Sequence, residues 1–423
     1  MSLPPELLDM IIDETSRIPN KARRTKALVA LSLVSRSFRE RAHNHLFASI
    51  NMNFGRGAEG AIMDALRWLL DLMEADPNTT TSGLASRITS FACSPPCSVG
   101  DPLPGILNKL FLGRGKACTL YISFTSPASW SSLSEDVAQE LFNICHRPRL
   151  AFLSLWNLRK IPRNFLQHSF IKRLSLNNVS VSKSRLKDSF FAGISDQGHR
   201  GAVILESLHF CGEDPILASL LTTSRREMEP EVIFSQVQEL FLYFLSPQID
   251  PKFSTGEILT RCNGNLETLK MSLDGRHPNP RTALPFHRFP ALHTFEITAI
   301  NCRSYRPLCD IAIILEQIAY HPNLQNIELH LMHPLNGPMQ NVDAIRVSLE
   351  GLGCEALDDL FEKPRFACVR SLSLKFFFKL DHEEEFAGPW TSADYKFLIL
   401  WRFPVLSRRW DISLTVDVEL DFA

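Results

Sequence analysis

The order of apolar and polar positions divides the chain into two parts. In the first, "LPPELLDMII" predicts a helix: Leu7 and Ile11, and Leu8 and Ile12, are pairs four apart, which places them on one broad face. Proline in the first turn costs no hydrogen bond, and Glu6 lies where a helix dipole favours a carboxylate. The helix is expected to stop before Pro19. A polar, basic loop from Arg17 to Ala27 is expected next, carrying Lys21, Arg23, Arg24 and Lys26. Leu28, Leu31, Val34 and Phe38 then recur at helical spacing, and Ser35 is a candidate cap where a further helix begins.

The second part repeats one phrase. Four segments read Pro/Gly-x-Leu-x-x-apolar-x-apolar: "PRLAFLSL" from Pro148, "GNLETLKM" from Gly264, "PALHTFEI" from Pro290 and "PNLQNIEL" from Pro322. Four more keep the last six positions: "IKRLSL" from Ile171, "LESLHF" from Leu205, "VQELFL" from Val237 and "VRSLSL" from Val369. The last two apolar residues of each lie two apart, so on a strand they share the core face. Helices are expected between some of these strands. Ser134 caps one, followed by Glu135 and Asp136, and Leu308, Ile311, Leu315 and Ile318 stripe another. The closing "WDISLTVDVELDF" alternates apolar and polar residues, the pattern of a strand with one wet face.

Three glycines, Gly55, Gly57 and Gly60, have the G-x-G-x-x-G spacing of a dinucleotide turn. The strand before them alternates, with Ala48, Ile50, Met52 and Phe54 apolar, whereas a dinucleotide fold wants a first strand apolar on both faces. No acidic residue closes the next strand-like run, "RITSFAC". The phrase therefore reads as a strand-to-helix turn, and no cofactor is expected.

Composition narrows the classes further. The chain has 423 residues, of which 45% are hydrophobic, and a formal net charge of −1. That charge asks for neither nucleic acid nor an acidic membrane surface. The start lacks a basic segment before an apolar one, and the longest apolar runs are too short for a bilayer, so a cytoplasmic or nuclear protein is expected. The ten cysteines are scattered; "CSPPC" (Cys93 to Cys97) has no second pair at zinc spacing. No nucleophile elbow, phosphate loop, zinc-protease or kinase phrase occurs, and Cys145-His146 is the sort of neighbour pair that chance supplies. No metal is expected, and no enzymatic chemistry.

Two resemblances give these patterns a function. Leu3-Pro4-x-Glu6-Leu7-Leu8-x-x-Ile11-Ile12, followed by Leu28-x-x-Leu31-x-x-Val34-Ser35-Arg36-x-Phe38, resembles the F-box. That three-helix module binds the Skp-type adaptor of cullin-RING ubiquitin ligases. The likeness covers residues 1–47 and implies adaptor contacts through Leu3, Pro4, Leu7, Leu8, Ile11, Leu31, Val34 and Phe38.

The repeated phrase resembles the leucine-rich repeat, Leu-x-x-Leu-x-Leu. Its customary asparagine, three residues past the last leucine, is replaced by Leu158 and Val179, so no asparagine ladder is expected. The two likenesses together imply an α/β chain: a three-helix F-box over 1–47, then an irregular leucine-rich-repeat-like solenoid with a parallel sheet over 48–423. The residues between the core leucines would line the concave face in rows, with Lys270 beside Glu296. Trp156, Phe241 and Tyr243 are the candidate anchors for a target protein. The implied function is substrate recognition in a Skp–cullin–F-box ubiquitin ligase. The alternative is a repeat-built interaction scaffold unconnected to ubiquitin.

Overall fold

The computed structural model describes residues 4–53, 59–74, 83–95, 102–112, 115–166, 169–182, 205–211, 234, 236–244, 258–259, 262, 264–274, 286–300, 306–318, 321–335, 351–362, 366–380 and 391–422. They fall into two compact units, one ending and the other beginning between residues 182 and 205. The N-terminal helices share a unit with the first strands.

The first unit opens with three helices, α1 (Pro5–Ser16), α2 (Lys21–Ser32) and α3 (Arg36–Leu46). The basic segment expected as a loop is instead the first half of α2. Asn20 makes the difference: its side-chain oxygen accepts the Arg23 N–H at 3.0 Å, satisfying an orphan donor at the helix start. Ser35 does the same for α3, accepting from Phe38 N at 3.3 Å. Ile12, Leu28 and Ala42 form a small core, with Leu31, Phe38 and Leu46 packed against it. Outside that core, Arg41 reaches from α3 to Asp13 (2.6 Å) and Asp9 (3.1 Å) on α1, and His45 Nε2 lies 2.8 Å from Asp13.

A strand–helix alternation follows: β1 (Ser49–Met52), α4 (Glu59–Glu74), β2 (Ser90–Cys93), α5 (Pro102–Leu107), β3 (Thr119–Ser129), α6 (Glu135–Cys145), β4 (Phe152–Arg159), β5 (Ile161–Pro162), β6 (Arg173–Asn177) and β7 (Val181–Ser182). All pairing is parallel. The main ladder runs β1-β2-β3-β4-β6, and β5 pairs with β7 separately. Parallel neighbours need a crossover, supplied by α4, α5 and α6. Of the three glycines, Gly60 lies in α4, while Gly55 and Gly57 fall outside the described residues.

The second unit continues the scheme with β8 (Ser207–Cys211), β9 (Glu239–Phe244), β10 (Thr268–Asp274), β11 (Thr294–Ile300), α7 (Pro307–Ile318), β12 (Asn326–Leu335), α8 (Cys354–Glu362), β13 (Ser371–Leu380), α9 (Ser392–Trp401) and β14 (Ser413–Phe422). These strands pair in chain order, all parallel. The expected helix is α7, with Leu308, Ile311, Leu315 and Ile318 all buried. The acidic run "DHEEE" lies outside the described residues.

Each repeated phrase sits where its pattern requires. Leu150, Ile171, Leu205, Val237, Leu266, Leu292, Leu324 and Val369 are buried at the strand entries. The pairs that follow, from Leu153 and Leu155 to Leu372 and Leu374, are buried on the core face. Full burial of one such side chain is worth roughly 1.5–3 kcal/mol. A backbone joint recurs at most of these entries. The Ala48 carbonyl accepts the N–H groups of Thr89 and Ser90, Thr89 those of Cys118 and Thr119, Cys118 those of Ala151 and Phe152, and Ala151 those of Lys172 and Arg173. In the second unit the carbonyls of Glu206, Gln238, Glu267, His293 and Gln325 each accept two in the same way.

An asparagine pair, not expected from the sequence, joins β3, β4 and β6. Asn157 Nδ2 donates to the Phe124 carbonyl at 2.9 Å, and Asn178 Nδ2 donates to Asn157 Oδ1 at 2.6 Å. Both asparagines have positive φ, 60° and 50°, which asparagine tolerates better than most residues. They stand one position earlier than the repeat pattern places them.

Candidate functional site

The N-terminal helices present two apolar stripes. On α1, Leu7 and Ile11 are 44% and 45% exposed, and Met10 beside them is more so. Their spacing of three and four puts them on one helix face. At the end of α2, Val29, Leu33 and Val34 are exposed as well. The small core is already filled by other side chains, so these six have no interior to enter. Of the residues named from sequence, Pro4, Leu7, Ile11 and Val34 are exposed and Leu8 is half-buried. Leu31 and Phe38 pack against the module's own core, which gives them a structural task. Leu3 lies outside the described residues. Met10, Val29 and Leu33 were missed; on α2 the signal was hidden because the helix itself was read as beginning later.

The sheet face opposite the core carries the other candidates. In the first unit Trp156 is 47% exposed, opposite Ser123 on β3 and Asn177 on β6. The same face carries Tyr121 and Phe152, ring centroids 4.8 Å apart, and the Arg173 guanidinium 5.9 Å from the Phe152 ring centre. Sequence reading passed over Tyr121 because β3 does not spell the repeated phrase with leucine.

In the second unit the register forms two rows. One runs His209, Phe241, Lys270, Glu296, Glu328 and Ser373; the other runs Cys211, Tyr243, Ser272, Thr298, His330 and Lys375. Phe241 and Tyr243 are half-buried, not open, and Phe241 lies 5.5 Å from the His209 ring. Lys270 falls beside Glu296 as expected, at 3.3 Å, and also reaches Glu239 at 3.5 Å. His330 stands 3.5 Å from Glu296 and 3.6 Å from Glu328, and Lys375 stands 3.8 Å from Glu328. Lys270 thus lies between two carboxylates, and Lys375 stands beside a third. Desolvation opposes the Lys270 charge, yet the two flanking glutamates more than offset it and raise its pKa. Burial lowers that of His209. The row is not uniformly open: Ser272 is only 1% exposed, and its hydroxyl has no hydrogen-bond partner. Neighbouring side chains close over a short residue that long ones flank.

Burial pushes the Cys93 thiol up to about 12 and raises that of Cys145 too, and a buried thiol with a raised pKa is a poor nucleophile. His146, next to Cys145, points its Nδ1 at the Phe142 carbonyl, 2.7 Å away. Among the described residues, no three His, Cys, Asp or Glu side chains stand together as metal ligands, and no helix is long and apolar enough to cross a membrane.

Compared with known proteins, the chain matches no family model and no curated sequence.

Proposed function

We propose that this chain is the substrate-recognition subunit of a Skp–cullin–F-box ubiquitin ligase. The observation that carries the reading is the apolar surface of α1–α3: Leu7, Met10, Ile11, Val29, Leu33 and Val34 exposed on helices whose own core is complete. Apolar side chains gathered on a small surface mark an interaction site. The F-box resemblance names the occupant, a Skp-type adaptor, and through it a cullin. The parallel strands behind would act as an irregular leucine-rich-repeat-like solenoid. The recurring joint carbonyls and the Asn157–Asn178 pair support that reading. A target protein would meet the aromatic residues of the polar sheet face, Trp156 with Tyr121 in one unit and Phe241 with Tyr243 in the other. The chain itself does no chemistry; its work is positioning.

The test is co-purification of the full chain with a Skp-type adaptor, compared with the variant carrying Leu7→Asp and Ile11→Asp. Loss of the adaptor, with an unchanged thermal transition, supports the reading. Retained binding removes the assigned interface. A wild-type chain that captures no adaptor leaves the repeat-built scaffold as the better account.

A further inference from the structure

The polar face of the first unit's sheet differs in charge from that of the second. Leu153, Leu155, Leu174 and Leu176 are buried in the core, and alternation turns their neighbours to the other face. Three rows of these neighbours cross the paired strands, passing through Phe152, Ser154 and Trp156. Arg173, beside Phe152, is the only charged residue in the three rows. It is exposed, and its guanidinium lies 5.9 Å from the Phe152 ring centre. It has no ion-pair partner among the described residues. In the second unit, by contrast, Lys270 and Lys375 both stand beside glutamates. An exposed cation held against a ring, with no counter-ion, suits an anion brought by a partner.

The register also fixes where the aromatic residues stand. Phe152 is opposite Arg173, Tyr121 is opposite Ser154, and Trp156 follows Phe152 by four residues on β4. At about 3.3 Å per residue this is about 13 Å along the strand. Tyr121 and Trp156 are 39% and 47% exposed, and the Tyr121 ring lies 4.8 Å from that of Phe152. Residues four apart on an extended peptide share one face and span the same distance of about 13 Å. The same face of a second copy is a poor occupant, because it offers Arg173 no carboxylate. Nucleic acid is another, because its binding scales with the number of phosphates neutralised and this face supplies one cation.

We propose that this face receives an extended acidic segment of the target protein. A glutamate or aspartate would lie over Arg173, and an apolar or aromatic side chain four residues away would pack against Trp156 and Tyr121, which serve as anchors. Such docking rests on the reading of the polar sheet face as the target surface; the adaptor surface plays no part in it.

The probe is a fluorescein-labelled peptide, Glu-Ser-Gly-Ser-Trp-Ser-Gly-Ser-Glu, which carries the spacing in both directions. It is titrated with the full chain and read by anisotropy. One control peptide has lysine for both glutamates, and another has alanine for the tryptophan. Arg173→Glu reverses the charge, and Trp156→Ala removes the ring. Saturable binding of the acidic tryptophan peptide alone, weakened tenfold or more by each variant at an unchanged thermal transition and weakened by salt, supports the site. Unchanged affinity in Arg173→Glu overturns it, as does failure of all three peptides to bind. Equal binding of the lysine peptide, lost in Trp156→Ala, overturns the acidic class while keeping the face as a target surface. Binding that neither variant weakens removes the face itself. Tighter binding of a labelled oligouridylate, lost in the same variants, overturns the proposal, and so does self-association in sedimentation that Arg173→Glu abolishes. Should Arg173→Glu fail to fold, Arg173→Gln decides by the same comparison.

Discussion

Asn178 donates to Asn157 over 2.6 Å while both residues hold positive φ, so one side-chain bond ties two tight bends together. Asn157→Ala removes this bond and the one to the Phe124 carbonyl, and leaves in left-handed backbone a residue that lacks asparagine's tolerance for it. Two hydrogen bonds at about 1 kcal/mol each and a backbone cost of about 1 kcal/mol predict a loss of roughly 3 kcal/mol. Asn157→Gly, which keeps the φ, should lose less. The difference between their urea midpoints checks the account.

The sequence showed the eight phrases because leucine and its close relatives occupy the core positions. It did not show that the same phrase governs β2 and β3. There Ile88, Phe91 and Cys93, then Ala117, Leu120 and Ile122, are buried in the same order; cysteine and alanine fill places where leucine was sought. The asparagine pair escaped for a similar reason. It was sought three residues past the last leucine, and the bend comes one residue sooner. The start of α2 was missed because its first turn is charged and its cap, Asn20, lies beside a proline that reads as loop. The candidate surface was partly legible: the stripe of α1 is plain in the sequence, whereas the exposure of Val29 and Leu33 depends on how α2 lies on α1 and α3.

The Arg41 side chain holds Asp13 down from its ordinary value near 3.8 to about 2, with His45 adding a second hydrogen bond. A carboxyl whose folded pKa is depressed contributes stability that is fully present above its unfolded pKa. That contribution fades as pH falls from about 4 to about 2. Because the pair is more than a third exposed, screening limits it to about 1 kcal/mol. Asp13→Asn should therefore lower the melting temperature at pH 6 and make no difference at pH 2, as followed by the helical circular-dichroism signal.

Asp358 on α8 is buried and accepts the backbone N–H groups of Val405 and Leu406, each at 2.9 Å. Burial raises its pKa against the pull of these two bonds. Asp358→Ala strands two donors, and a loss of about 2 kcal/mol follows. Hydrogen exchange should show the segment after α9 opening first.

Gly353 has φ +78°, and a β-carbon there would lie 2.6 Å from Cys309 Sγ. Gly353→Ala combines strain with overlap and should cost about 2–3 kcal/mol. Adding Cys309→Ala should return the steric share but not the backbone share. A double-mutant cycle on thermal unfolding separates the two.

Lys270 sits between Glu239 and Glu296. Lys270→Met leaves Glu296, which is largely covered, without its principal counter-ion, and should destabilise by about 1–3 kcal/mol. The second change Glu296→Leu should recover much of that, as measured by chemical denaturation.

The joint carbonyls fix where two successive strands meet and place no demand on what the chain does before it returns. The spacing between successive joints varies from about twenty residues, Ala151 to Lys172, to more than forty, Gln325 to Arg370, with a pair of N–H groups received each time. New surface can therefore be gained by lengthening an excursion, without renegotiating the seam. Insertions within a crossover should be tolerated, while a single residue added between a joint and its strand should throw that strand's side chains onto the wrong face.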